Sequence, residues 1–154
     1  MSDPAVRRAK AADAEAIGRL LDAFNREFDD PTPGPRVLAE RVRALIAAGE
    51  LTVLLAGDGP DGVAVLRFRP ALWTDGLDCY LEELYVVPER RGDGLGRAIV
   101  ETALDDARRE GAVYVYLGTN ETDVAARALY ESLGFSHRED GPDGPVNYFY
   151  EREL

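Results

Sequence analysis

The chain is poor in the residue types that usually form disulfides and metal centres. Its 154 residues include one cysteine, Cys79, and one histidine, His137. A single cysteine allows no internal disulfide, and the histidine lies too far away in sequence to form a metal cluster with it. We therefore expect neither a disulfide-stabilised domain nor a bound metal.

Long apolar runs are also missing. No stretch approaches the roughly 18 residues that a membrane span requires, and the N-terminal residues Met-Ser-Asp-Pro lack a charged start followed by an apolar segment. We expect a cytoplasmic protein without a membrane partner. The length and the 45% hydrophobic content suit a single domain over residues 1–154.

Basic residues are scarce, with 18 Lys and Arg against 29 Asp and Glu, and Lys10 is the only lysine. The formal net charge of −11 argues against DNA or RNA as a partner, because neutralising phosphates requires a basic surface. The acidity fits a cationic small-molecule partner. It fits equally well a protein that acidity keeps soluble, because net charge affects solubility and steering rather than the fold.

The order of the sequence patterns predicts an α/β (α+β) fold. Apolar residues at helical spacing predict helices after an Asp13 cap as far as Phe28, around Leu38 to Gly49, at Leu95–Glu110 and at Val124–Leu133. Runs rich in β-branched and aromatic residues predict strands at 5–8, 51–56, 63–69, 79–87, 113–117, 135–138 and 148–153. We expect a mixed, mostly antiparallel sheet of six to seven strands, helices on both faces and a central parallel βαβ unit.

A glycine-rich turn separates the predicted fourth strand from the following helix. Residues 90–97 read Arg-Arg-Gly-Asp-Gly-Leu-Gly-Arg. A Walker loop would need Lys and Ser or Thr after its last glycine, but Arg97 and Ala98 follow Gly96. A dinucleotide fingerprint would need a small residue at its sixth position, which Arg97 or Ile99 occupies here.

The chemistry of this turn favours a pyrophosphate ligand. Glycines let the ligand approach the backbone, and the free N–H groups of a helix start attract anions. Arg91 and Arg97 add charge-assisted donors for the same group. The sequence therefore predicts a site for a phosphate-bearing ligand between this strand and helix.

The turn and its surroundings resemble the GNAT N-acetyltransferase superfamily over essentially the whole chain. Arg91-x-x-Gly94-x-Gly96 resembles its coenzyme A site, and the segments 6–17, 81–88 and 126–135 resemble its first strand and helix, its fourth strand, and its last helix and strand. The fourth-strand motif, Leu-Glu-Glu-Leu-Tyr-Val, resembles the diamine and aminoglycoside branches. The resemblance implies the GNAT fold and acetyl-CoA as co-substrate.

The resemblance also implies roles for single residues. Tyr130 is expected to act as general acid, and Glu82 or Glu83 as the group that deprotonates the acceptor amine. Since side chains alternate along a strand, we expect only one of the two glutamates, preferably Glu82, to line the cleft. Cofactor contacts are expected from Leu84, Val86, Val87, Arg91, Gly92, Gly94, Leu95, Gly96, Arg97, Asn120, Asp123 and Ala126, and acceptor contacts from Phe28, Trp73 and Glu82.

One position departs from the family pattern. Many relatives carry asparagine seven residues before the tyrosine, where this chain has Asp123, with Asn120 one turn earlier. Asp123 also suits a helix cap.

Tyr130 lies off the apolar stripe formed by Ala125, Leu129 and Leu133 on its predicted helix, so its ring need not belong to the core.

The sequence thus predicts direct transfer of an acetyl group from acetyl-CoA to a primary amine of a small cationic acceptor, such as a polyamine, an aminoglycoside or an amino-acid derivative. Two alternatives stay open, namely a protein N-terminal or lysine acetyltransferase and a non-catalytic acyl-CoA-binding module. Cys79 is disfavoured as an acyl carrier because its strand position predicts burial. Homodimer formation is compatible with the resemblance.

Overall fold

A computed structural model gives the fold of this protein and describes residues 5–154. The chain forms two compact units, the first ending at Leu117 and the second running from Gly118 to Leu154. Helices and strands of the first unit alternate much as the sequence patterns predict. The second unit contains a single regular element among the described residues.

The first unit is built on a five-stranded sheet. Its strands follow the chain order β1-β2-β3-β4-β5 across the sheet, and each pair is antiparallel except β4 and β5, which are parallel. Helix α3 connects these two parallel strands and completes the predicted βαβ unit. The strands are β1 (Val6–Arg8), β2 (Thr52–Ala56), β3 (Gly62–Pro70), β4 (Leu77–Val86) and β5 (Ala112–Tyr116).

Helices cover both faces of this sheet, as the sequence predicts. Helices α1 (Ala14–Glu27) and α2 (Pro35–Ala47) cover one face. Helix α3 (Leu95–Arg109) lies on the other, where the methyl end of Ile99 approaches Gly62 of β3. Side chains of a strand alternate between the two layers, so β2 and the first part of β3, Gly62 to Leu66, are buried on both sides. The core under α1 and α2 includes Val53, Leu55, Val63, Val65 and Tyr85.

The helical start near Asp13 differs from the expected cap. Residues Ala11–Asp13 form a short 3-10 turn before α1, and the Asp13 carboxylate accepts from the Lys10 amide at 2.8 Å and from Arg7 at 2.9 Å. These bonds, with that of Arg7 the larger, lower the pKa of Asp13 to about 2. Asp13 therefore stabilises the turn before the helix and ties it to β1.

The second unit contains helix α4 (Val124–Ser132) but neither of the two closing strands predicted at 135–138 and 148–153. The only pairing described there is an isolated bridge between Arg138 and Val146. Two prolines and two glycines occupy the intervening turn, and Pro142 and Pro145 supply no N–H donor for a ladder. The strand count of the described residues is therefore five rather than six or seven.

The close packing of α1 on α2 generates a testable prediction. A Cβ added at Gly18 would lie 2.5 Å from the carbonyl oxygen of Pro35 and 2.8 Å from the amide nitrogen of Ala39. Alanine favours a helix by about 1 kcal/mol over glycine, but this clash is with backbone and cannot be relieved by a rotamer change. We expect Gly18→Ala to lower the free energy of unfolding by about 1–3 kcal/mol, measured by urea denaturation. Equal or higher stability of the variant would contradict this packing.

Candidate active site

Strands β4 and β5, at one edge of the sheet, pair over only part of their length. Their parallel ladder begins at Leu77 and Ala112 and ends at Tyr80 and Tyr116. Strand β4 nevertheless continues to Val86, where it still pairs with Gly62 of β3. Beyond Tyr80, the side of β4 that faced β5 therefore has no strand partner in the ladder. Apart from the Val86 carbonyl, which accepts from Arg91, its main-chain groups there are not paired with another strand and can bind an extended ligand.

The chain leaves β4 through a short 3-10 turn, Pro88–Arg90, and enters α3 through two glycines with left-handed backbone. Gly92 has φ 84°, and Gly94, the N-cap of α3, has φ 83°. A Cβ added to either would have no heavy atom within 4 Å, so the space beside this backbone is open. Gly94 has no side chain to cap α3, which leaves the first amides of that helix available to an anion.

The predicted cofactor residues of this unit cluster around that turn. Leu84, Val86 and Val87 lie at the end of β4, half-buried, while Leu95 is buried and Gly96 lies in the first turn of α3. Arg97 is half-exposed and lies 3.9 Å from Glu101. Arg90, which the sequence did not single out for the site, bonds Asp93 at 3.0 Å and Asp61 at 2.8 Å, and so neutralises the acidic residue of the turn.

Arg91 points back toward the sheet and α1. Its Nε donates to the Val86 carbonyl at 3.1 Å, and its Nη2 donates to Oε1 of Glu27 at 2.8 Å. The same Glu27 oxygen accepts from the Tyr85 hydroxyl at 3.0 Å. The guanidinium also lies 5.7 Å from the centre of the Tyr85 ring, within the range of a cation–π contact.

The two glutamates of β4 do not alternate as expected. Val65 pairs with Glu83 and Leu66 pairs with Leu81, so a β-bulge leaves Glu82 as the extra residue. Glu83 lies opposite Val65, a core residue beneath α1 and α2. Glu82 bonds Arg67, which is two residues from Val65 and therefore on the same face of β3. The bulge thus brings both carboxylates to one face of the sheet.

The electrostatic situations of the two carboxylates differ. Glu82 accepts from Nε of Arg67 at 2.6 Å. Glu83 has no hydrogen bond or ion pair within residues 5–154. Burial, with smaller contributions from the charges of Glu82 and Asp30, raises the pKa of Glu83 above that of an ordinary glutamate. Glu83 is therefore a stronger base than an ordinary glutamate.

The loop after α1 brings further charge to this face, whereas the predicted aromatic contacts are exposed. Asp30 lies close enough to affect the pKa of Glu83. Phe28 follows α1, is 54% exposed and packs edge-on against Phe24 with ring centres 5.5 Å apart. Trp73, in the loop between β3 and β4, is 91% exposed. The charge of Asp30 thus acts on Glu83, and the Trp73 ring is in contact with solvent.

In the second unit, Tyr130 is the one buried residue of α4, whereas Ala125 is exposed and Leu129 and Leu133 are half-buried. The expected apolar stripe is therefore not the buried side of this helix. The Tyr130 ring packs against Phe135 with centres 5.8 Å apart. Its hydroxyl makes no hydrogen bond within the described part of the chain. Burial, with a smaller effect of Asp123, raises the pKa of Tyr130 to about 12.

The residues before α4 are occupied by local hydrogen bonds. Asp123 caps α4 by accepting from the Ala126 amide at 3.3 Å. The side chain of Asn120 accepts from the amide and the hydroxyl of Thr122, each at 3.0 Å. The cap predicted for Asp123 is thus confirmed, and both side chains shape the entry of this helix.

Cys79 is buried on β4, as its strand position predicts, and burial raises its pKa to about 11. A thiol with this pKa stays protonated at neutral pH and is a poor nucleophile.

Among residues 5–154, no group of three or more His, Cys, Asp or Glu side chains is arranged to hold a metal ion. No helix within the same range has the length and apolar character of a membrane span.

Sequence reasoning missed Glu27 and Arg67. Glu27 is 64 residues from Arg91 in sequence, and Arg67 is 15 residues from Glu82, so neither pairing follows from a local motif. The sequence indicated only that Glu27 lies near the end of the predicted first helix and that Arg67 lies in a predicted strand, and neither position identifies a partner.

Comparison with known proteins shows the class of this chain. Residues 16–135 match the family model of the Acetyltransferase (GNAT) family. The chain is 31% identical over 144 residues to aminoglycoside N(6')-acetyltransferase type 1 of Stenotrophomonas maltophilia, covering 90% of both proteins. It is 46% identical over 134 residues to the mycothiol acetyltransferase of Thermobispora bispora, where the match spans 84% of this chain and 40% of that protein.

The fold comparison agrees with the sequence comparison. A crystal structure of a provisionally named acetyltransferase from Arthrobacter sp. FB24 superposes with a TM-score of 0.88 at 42% identity, covering 100% of this chain and 97% of that one. The protein is thus an N-acetyltransferase with small-amine acetyltransferases among its relatives. The chain belongs to the GNAT family.

Proposed function

We propose that this enzyme transfers an acetyl group from acetyl-CoA directly to a primary amine of a small cationic acceptor. The observation that carries the proposal is the separation of β4 from β5 next to an open, left-handed glycine turn. An unpaired strand edge suits the amide-containing arm of coenzyme A, and the turn suits its pyrophosphate. Acetyl-CoA, when bound, supplies the activated acetyl group.

Different residues of the first unit are proposed to bind the thiol arm and the pyrophosphate of the cofactor. Main-chain groups of Leu84 and Val86 would bind the thiol arm, and an N–H near Val86 would stabilise negative charge on the thioester oxygen. Amides from Gly92 to Arg97 would bind the pyrophosphate. Val87, which follows β4, and Leu95, which begins α3, lie at the two ends of the turn between them and are proposed as further cofactor contacts. From the second unit, Asn120, Asp123 and Ala126 are proposed as cofactor contacts on the family resemblance.

We assign the removal of a proton from the acceptor amine to Glu83. The carboxylate is uncompensated, has a raised pKa and is near a second acidic residue, Asp30. Glu82 serves a different purpose in this assignment, since its charge is neutralised by Arg67. Asp30 keeps the surroundings of Glu83 acidic, which attracts a cationic acceptor.

We assign Tyr130 as the general acid. As the amine nitrogen bonds to the carbonyl carbon and the carbon–sulfur bond breaks, the leaving thiolate takes up a proton. A hydroxyl with a pKa of about 12 is fully protonated at neutral pH, and because this pKa also makes it a weaker acid than a thiol, it can protonate the leaving thiolate only if local interactions disfavour the thiolate. Phe28 and Trp73 are proposed to border the acceptor.

The acceptor class rests on charge and on relatives. The formal net charge is −11, and a relative at 31% identity is named for acetylating aminoglycosides. We also propose that residues 1–154 work as one domain, because the family match includes residues of both compact units.

The direct test is a screen of polyamines, aminoglycosides, amino-acid derivatives and peptides with acetyl-CoA, monitored by release of free thiol. We expect turnover with small cationic amines and none with lysine-containing peptides. Turnover restricted to peptides would replace the proposed acceptor class by a protein acceptor.

Glu83→Gln should have opposite effects on activity and stability. A base must be unprotonated to act, so wild-type kcat should fall as the pH drops through the raised pKa of Glu83. The kcat of the variant should be lower by a factor of about 10²–10⁴. Its kcat should also no longer fall over the pH range in which wild-type Glu83 becomes protonated. Because the raised pKa means that folding disfavours the charged carboxylate, the neutral variant should melt at a higher temperature at pH 7 than wild type. Its advantage in melting temperature should shrink as the pH falls and wild-type Glu83 is protonated.

Glu82→Gln is the matched comparison, and we expect a smaller loss of kcat from it. A larger loss from Glu82→Gln than from Glu83→Gln would transfer the role of base to Glu82.

Gly94→Ala should weaken coenzyme A binding. A Cβ at φ 83° strains the backbone by about 1–2 kcal/mol and shifts the amides that face the pyrophosphate. Loss of one such charge-assisted bond, worth about 1.5–3 kcal/mol, corresponds to about 10–100-fold in Kd for desulfo-CoA by calorimetry. Gly111→Ala, at φ 91° beyond the far end of α3, should lose similar stability and keep the affinity. Equal affinities of the two variants would argue against the turn as the binding site.

Tyr130→Phe should separate catalysis from binding. We expect kcat to fall by about 10²–10⁴ while the Kd for acetyl-CoA stays unchanged, because only the transferable proton is lost. Tyr148→Phe, on an exposed ring of the same unit, is the control and should leave both quantities unchanged. Unaltered kcat in Tyr130→Phe would remove this residue from the mechanism.

A further inference from the structure

The contact between Glu27 and Arg91 joins three parts of the first unit that are distant in sequence. Glu27 is the last residue of α1, and Arg91 is the residue that precedes the two left-handed glycines of the turn. A single oxygen of Glu27 accepts from Arg91 at 2.8 Å and from Tyr85, on β4, at 3.0 Å. The carboxylate therefore connects α1, the end of β4 and the start of the turn.

We propose that Glu27 is a positioning residue for the cofactor, which holds Arg91 so that the main-chain amides of the glycine turn face the pyrophosphate of coenzyme A. This inference rests on the function proposed above. It assigns Arg91 a role through the shape of the turn, not through direct contact of its guanidinium with phosphate.

The direction of the Arg91 side chain supports this role. Its Nε and Nη2 are engaged by the Val86 carbonyl and by Glu27, and its plane lies over the Tyr85 ring. Both partners are on elements of the fold that precede the turn. The Arg91 side chain thus links the start of the turn to Val86, the last residue of β4.

The turn itself needs such a fastening. Gly92 and Gly94 have no side chains, and the space that a Cβ would occupy at either is empty. Glycine has the largest backbone freedom of all residues, so fixing it in one conformation is costly in entropy. A ligand that must order the turn binds more weakly than one that finds it ordered.

The position of Glu27 is itself well determined. Tyr85 is 5% exposed, and its ring stacks on Phe24 with centres 4.9 Å apart. Glu27 is thus held by a hydroxyl whose own location is fixed in the core. Such an arrangement is rigid enough to define where the Arg91 guanidinium lies.

The alternative role of this pair predicts the opposite sign for one variant. If Arg91 bound phosphate directly, Glu27 would be a competing anion, and removing its charge would tighten coenzyme A binding. If Glu27 positions the turn, Glu27→Gln loosens it and weakens binding. The sign of the change in Kd therefore separates the two roles.

The experiment measures Kd by calorimetry for desulfo-CoA and for pantetheine, which lacks the pyrophosphate. We expect Glu27→Gln to weaken desulfo-CoA about 10-fold and to leave pantetheine within about 2-fold. Arg91→Met, which keeps the stem over Tyr85 but loses the donors, should show a loss of similar size. The double variant should be no weaker than Arg91→Met, because the two residues act as one unit. Glu15→Gln, an exposed charge in the first turn of α1, is the control for loss of one negative charge.

Tyr85→Phe provides a second approach should Glu27→Gln not fold. It removes one of the two bonds to Glu27 and should weaken desulfo-CoA in the same direction by about 2- to 5-fold. Unchanged or tighter binding of desulfo-CoA by Glu27→Gln, an equal loss for pantetheine, or additive losses in the double variant would each overturn the inference. Absence of desulfo-CoA binding by the wild-type protein would overturn the proposed function as well, so the two failures are distinguishable.

Discussion

The early end of the ladder between β4 and β5 is the constraint on which the candidate site depends. Parallel strands normally satisfy each other's main-chain groups along their shared length. Here the pairing stops at Tyr80 and Tyr116, while β3 continues to support β4 as far as Val86. Strand β4 thus stays paired with β3 on one side, while its other side has no strand partner beyond Tyr80. The bulge, the glycine turn and the start of α3 are all placed relative to this unpaired edge.

Three carboxylates on or beside the end of β4, those of Glu82, Glu83 and Glu27, differ in how their charge is balanced. Glu82 is paired with Arg67, and Glu27 is shared between Tyr85 and Arg91. Glu83 alone carries its charge without a partner in the described residues, and its pKa is raised mainly by burial. An uncompensated, partly buried carboxylate disfavours the folded state, and this is the reason for which Glu83 is proposed as the proton acceptor.

Local sequence patterns predicted the elements and the turn, because these depend on residues that are neighbours in the chain. The apolar spacing of α1 and α3, the hairpin of β2 and β3, and the burial of Cys79 are all confirmed. The same reasoning missed what depends on pairing between distant segments. The bulge at Glu82 follows from its register with β3, and the partners of Arg91 lie on α1 and β4. The two predicted closing strands failed because apolar composition alone does not supply a hydrogen-bonding partner.

The bulge at Glu82 changes what substitution can do in this strand. In a regularly pleated strand, neighbouring positions are separated by the sheet, and neither can take over a task from the other. One additional residue here places two adjacent carboxylates on the same face of the sheet. Replacing Glu82 therefore alters the electrostatic surroundings of Glu83, its immediate neighbour in the chain, and the pair behaves as one coupled unit.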